Sequence, residues 1–228
     1  LVANLNLLAA QKAKAANAQT GALKYIKIAQ KLLEKSSWEN NYQLTLNIYS
    51  EATEIAYLSG DFEQMQCWAN LVLKQAKTTL DKIKFYEVII EAYHAQNQEL
   101  KAVQIGLSVL KSLDFEIPES LQSSDIQEEL TKTRQKLAGK NIEDLTNLPP
   151  INEEEKLAIM KIAAAIFSPV FIAAPHLLPV LVSKQVNLSI QYGNSYLAAF
   201  TYVNYGLILC GLLEDWETGY QFGKLALN

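Results

Sequence analysis

The chain has 228 residues, half of them apolar and 19% charged, which is enough to bury a sizeable core and is not the composition of a disordered protein. Glycine and proline together fill only 15 positions, too few for the turn density of an all-β sandwich or barrel. A net charge of −4 argues against nucleic-acid or anionic-lipid partners, and two cysteines allow no disulfide framework, which fits a reducing, cytoplasmic setting.

Helices are therefore the expected element, and the chain is punctuated as helical hairpins. Asn17 marks the first turn, with Ala22, Ile26 and Ala29 after it at helical spacing. Residues 42–77 form the clearest unit. Leu44, Ile48, Glu51, Ile55 and Leu58 share one stripe, and Gly60-Asp61 ends that helix and caps the next. Phe62, Met65, Ala69, Val72 and Ala76 then recur at three and four residues. Asn97 holds a third turn, followed by Ala102, Gly106 and Val109; Glu214-Asp215-Trp216 holds another, followed by Gly219, Gly223 and Ala226. Two more hairpins fit in the gap between them. The pattern predicts an all-α, tetratricopeptide-like right-handed superhelix, in which each hairpin buries its apolar face by stacking on the next.

Residues 114–152 break the rhythm. This polar stretch, with Pro118 and Leu148-Pro149-Pro150, predicts one helix over about 124–138 ended by Gly139. It reads equally as a hinge or as a long inter-repeat loop, and it separates an N-terminal block, 1–113, from a C-terminal block, 153–228. Glu153, Glu154 and Glu155 suit a first helical turn better than acid/base work.

Residues 162–213 carry one formal charge, Lys184. Their length admits two membrane-spanning helices, but Pro169, Pro175 and Pro179 interrupt the first, and Asn187, Ser189, Gln191, Asn194 and Asn204 are costly in lipid in the second. Helices buried on most sides by their neighbours are expected instead, with no membrane insertion.

Little in the sequence points to chemistry. His94 and His176 stand apart from any zinc-type spacing, and Cys67 and Cys210 lie on apolar helical patterns and read as core residues. Gly219 to Lys224 lacks the spacing and the Ser or Thr of a phosphate-binding loop. No catalytic residue, metal or cofactor is expected. The feature that remains is an aromatic run near the C-terminus, from which Tyr192, Asn194, Tyr196, Tyr202, Tyr205 and Tyr220 are the candidate ligand or partner surface. Such a stripe is either packed core or the lining of a concave pocket.

The stretches LNLLAAQKAKAANAQTGALKYIKIAQKLL, YLSGDFEQM and LPP, and above all the run from EEEKLAIM through YGNS, YVNYG and the GY-FG-LAL ending, resemble one family. It is the helical region of the large multi-domain signalling kinases abundant in filamentous cyanobacteria. There a serine/threonine kinase-like domain and a STAND-type ATPase domain precede this region, and a GAF sensor domain and often a histidine kinase follow it. Ala10 and Ile151 depart from the family pattern. The resemblance implies a non-catalytic scaffold or sensor arm that contacts protein partners and relays state between domains; the alternative is a domain that senses a small effector through the aromatic block. Leu1 at the start, and an apolar pattern running uncapped to the end, lead us to expect part of a longer protein.

Overall fold

The computed structural model describes residues 1–118 and 120–227. Among them the protein is all-α, and its contacts divide it into two compact units, Leu1–Gln96 and Asn97–Asn228.

The first unit is built from α1 (Val2–Ala15), α2 (Gln19–Lys31), the short α3 (Ser37–Asn40), α4 (Tyr42–Leu58), α5 (Phe62–Gln75) and α6 (Thr79–Ala95). Helix α1 packs on α2 and α4 on α5, while α4 also touches α1, α2 and α6. The turn between α4 and α5 follows from two residues. Gly60 takes φ +74° and lets the Asp61 amide reach back to the Ala56 carbonyl, closing the end of α4. The Asp61 carboxylate then accepts the Gln64 amide at 3.1 Å and starts α5. Ala10, Ala22, Ala29 and Ala52 lie at the centre of the core between α1, α2 and α4, with Leu7, Ile26, Ile48 and Ile55 around them. Small side chains there let the helix axes approach closely.

The second unit contains α7 (Glu99–Ser112), α8 (Ser123–Leu137), a 3₁₀ turn at Ile142–Asn147, α9 (Glu154–Ala165), α10 (Phe167–Ala173), α11 (Leu178–Tyr192), α12 (Ala198–Leu213) and α13 (Trp216–Leu225). The division differs from the expected blocks 1–113, 114–152 and 153–228, because α7 packs on α9 and α10. Gly106 makes that contact, since a Cβ there would collide with Ile166. In the stretch between Asn97 and Glu214 where the spacing allowed two extra hairpins, α8 packs against α11, which also packs on the α12 that follows it. The polar segment is anchored through Phe115, Ile117, Leu130 and Leu145, all buried. Asp125 caps α8 by accepting the Gln122 amide at 2.8 Å, and Gly139 follows its end at φ +75°.

The charge-poor stretch is only partly an interior. Helix α11 is buried along most of its length, but Phe171, Ile172, Tyr196, Leu207 and Leu212 are exposed. It is also broken, at Ile166, at Ala174-Pro175 and at Gly193. Among the described residues no single helix is long and apolar enough to cross a membrane; α9 and α10 together pass that test, but bent by 41°.

Candidate functional site

The six candidate residues sit on α11, on α12, on the loop between them, and on α13. Helix α11 ends because Gly193 adopts φ +105°, ψ −179°, a region essentially closed to residues with a Cβ. That turn sets Asn194 beside the Leu-Pro-Pro segment. The Asn194 amide donates to the Pro149 carbonyl at 2.7 Å, and its own carbonyl accepts the Ile151 amide at 2.9 Å. Its side-chain Nδ2 donates to the Leu145 carbonyl at 2.7 Å, and its Oδ1 accepts the Tyr202 hydroxyl at 2.7 Å. Both ends of the side chain and both backbone groups of Asn194 are thus engaged in holding residues 145–151 against α12.

Tyr202 and Tyr205 point inward and clasp Phe222 of α13, at ring-centroid distances of 5.9 and 4.9 Å. Burial pushes both phenols up to about 12, opposed at Tyr202 by Ser189 and at Tyr205 by Arg134. Neither can act as a base near neutral pH. Tyr192 is half-buried, takes a hydrogen bond from Gln191 at 3.1 Å, and lies under the Lys156 ammonium at 5.3 Å. Tyr196 and Tyr220 are exposed. The structure therefore brings Asn194, Tyr202 and Tyr205 together as packing and tethering groups, and leaves Tyr196 and Tyr220 facing solvent.

A second polar cluster lies on the inner side of α11. Asn187 Nδ2 donates to Glu129 Oε1 and to Thr133 Oγ1, both at 2.9 Å, across the contact with α8. Ser183 Oγ and Gln185 Nε2 on α11, and Thr201 Oγ1 and the Tyr205 hydroxyl on α12, are buried and make no hydrogen bond among the described residues. The Tyr205 hydroxyl gives a clean test. Tyr205→Phe is expected to leave stability unchanged or raise it by up to about 1 kcal/mol, whereas Tyr202→Phe, which strips a bond from Asn194, costs about 1–2 kcal/mol. Urea unfolding of the two variants against the wild type checks the sign of each.

Sequence reasoning missed a row of charges in the first unit. Lys14 of α1 bridges Glu51 at 2.8 Å and Glu54 at 3.1 Å on α4, and Lys84 of α6 reaches Glu54 at 3.4 Å. The available signal was Glu51 itself, a carboxylate inside an apolar stripe. The core position expected of both cysteines is corrected: Cys67 is exposed and Cys210 half-buried, the latter with its sulfur against Gly219 of α13. Among the described residues no group of three or more His, Cys, Asp or Glu is placed to hold a metal ion. His176 is exposed in the short turn before α11.

No protein-family model and no solved structure matches the chain. It is similar to the hybrid signal transduction histidine kinase G of Dictyostelium discoideum, at 20% identity over 258 residues, covering 100% of this chain and 7% of that protein. The chain spans about 7% of the length of the curated relative it matches.

Proposed function

We propose that this region is a non-catalytic helical-repeat scaffold of a multi-domain signalling kinase, in which stacked hairpins of the tetratricopeptide kind, wound as a right-handed superhelix, carry protein contacts and pass state between neighbouring domains. The observation that carries the reading is similarity along the whole chain to a signal transduction histidine kinase. The repeated turn supports it: Gly60-Asp61 and Glu214-Asp215 both pair a left-handed residue with an aspartate that caps the next helix. A scaffold regulates by binding two states of a neighbour with different affinity, which requires surfaces rather than reacting groups. Its partners are proteins rather than nucleic acid, its setting is cytoplasmic, and it needs no cofactor. Incubated with magnesium and ATP, the chain is expected to release no phosphate and to label itself no more than a boiled control. Turnover that tracks the chain through purification would defeat the reading.

A small-effector role for the C-terminal block is the second reading. It is favoured by the unsatisfied polar atoms of Ser183, Gln185, Thr201 and Tyr205, which a bound polar molecule would satisfy. A thermal shift produced by a small metabolite and abolished by Thr201→Val would support it.

A further inference from the structure

The two hairpins α4–α5 and α12–α13 can be set on one another through their turns, with Glu214-Asp215-Trp216 on Gly60-Asp61-Phe62. The inner faces then agree. Ile48, Ala52, Ile55 and Met65 correspond to Tyr202, Gly206, Leu209 and Gly219, and all eight are buried. Gly206 and Gly219 approach so closely that a Cβ on the first would lie 2.8 Å from the carbonyl oxygen of the second.

The opposite edge differs between the two. On α4 the residues Tyr42, Leu46, Thr53 and Tyr57 recur at four and seven residues and share one side of the helix. Helix α6 lies along that side. The Tyr42 hydroxyl donates to Asp81 at 2.8 Å near the start of α6, and Tyr57 feels the Glu91 carboxylate near its end. On α5, Phe62, Met65 and Gln66 line a common groove with Ile89, Ala92 and Tyr93 of α6. On the second hairpin Gly211 stands in the place of Tyr57, but the other outward counterparts are as apolar or more so, yet open to solvent. Leu46 is 7% exposed and Phe200 38%; Thr53 is 0% and Leu207 63%. Tyr196, Trp216 and Tyr220, in the places of Tyr42, Phe62 and Gln66, are 72%, 65% and 69% exposed. Contiguous apolar exposure of this kind marks an interaction surface.

The rim of this face is acidic where the helices turn. Glu214 and Glu217 are exposed on either side of Trp216, and the whole of α12 carries no charge. We propose that the Tyr196–Phe200–Leu207–Trp216–Tyr220 face binds an amphipathic helix in the position that α6 takes on α4–α5. That helix starts beside Tyr196, presents aliphatic residues at three- and four-residue spacing to Phe200 and Leu207, and carries lysine or arginine in its last turn against Glu214 and Glu217. Those cations also suit the negative end of its own dipole. The inference rests on the scaffold reading in treating the hairpin as a repeated unit.

The probe is a labelled peptide of residues 78–96 carrying Glu91→Lys and Gln96→Lys, titrated by fluorescence anisotropy against the intact chain. Saturable binding is expected. Leu207→Glu and Trp216→Ala, both at exposed positions and checked for folding by circular dichroism, should each weaken it about tenfold or more, and Leu100→Glu, on the exposed side of α7, should not. Joint replacement of Glu214 and Glu217 by lysine should weaken it about fivefold. No saturable binding, or binding that Leu207→Glu leaves unchanged, overturns the proposal; the latter would place the peptide on the first unit. Loss of the charge effect overturns the basic character assigned to the helix. A dimer of the chain that Leu207→Glu dissociates makes a second copy the occupant and overturns it as well. ATP turnover by the chain would defeat the scaffold reading while leaving this titration as it stands, so the two failures are separable.

Discussion

Gly193→Ala is expected to destabilise the second unit by about 3–5 kcal/mol, among the largest effects of any single methyl group in this protein. Two costs add at this position. The backbone sits at φ +105° with ψ −179°, where an L side chain is strained by about 1–3 kcal/mol. The added Cβ would also strike the Pro149 carbonyl oxygen and lie 2.9 Å from the Pro149 carbonyl carbon. Relief requires the Leu-Pro-Pro segment to move away, which breaks the Asn194–Pro149 and Ile151–Asn194 hydrogen bonds together. Gly60→Ala is the control. Gly60 is also left-handed at φ +74°, but nothing lies within 4 Å of its Cβ position, so only conformational strain of about 1–2 kcal/mol is expected. Urea midpoints measure both. Tryptic cleavage at Lys140 should accelerate in Gly193→Ala and not in Gly60→Ala, because only the former frees the segment that follows. Equal losses in the two variants would show that the Pro149 contact yields without cost.

The turns were legible in sequence because they are local. Asn17, Gly60, Asn97 and Glu214 were each placed from a polar or glycine residue between two apolar-periodic runs, and all four have positive φ. The end of α8 at Gly139 was legible for the same reason. What sequence did not disclose depends on contacts between distant segments. The pairing of α8 with α11 leaves no local trace, since Glu129, Thr133 and Asn187 look like ordinary surface residues until they meet. Asn194 read as an amide available to a ligand; its four partners come from residues 145–151 and from Tyr202, none of them adjacent to it. The exposed edge of α12 was hidden for a different reason. That helix is apolar on every side, so its pattern has no polar face from which to infer which edge stays open. The charge-poor run therefore looked uniformly buried, and only the tertiary arrangement separates Tyr205, inside, from Leu207, outside.

Lys14→Met is the second substitution with a large expected effect, about 2–3 kcal/mol at neutral pH, although it keeps most of the side chain's apolar stem. Lys14 is itself four-fifths covered, and it is the ion-pair partner of Glu51, whose carboxylate is buried on α4 and among the described residues has beyond it only the Gln11 amide at 3.5 Å. Removing the cation leaves that carboxylate in the interior without compensation. The pH dependence follows from two shifts. Burial opposes the charge on Glu54, but Lys84 and Lys14 outweigh it and hold its carboxyl below the ordinary 4.5, so its contribution is present above that value and is lost as pH falls through the lowered one. Burial likewise opposes the charge on Lys14, but Glu51 and Glu54 hold its ammonium above the ordinary 10.5; its contribution is complete below that value and is lost as pH rises through the raised one. The gap between wild type and Lys14→Met should therefore be widest between these limits and should narrow as pH falls through the lowered Glu54 value. Adding Glu51→Leu to Lys14→Met should recover most of the loss, since a matched apolar pair replaces a buried ion pair at little cost. A single variant that costs less than about 0.5 kcal/mol, with no narrowing in acid, would mean that water screens the pair as it does on an open surface.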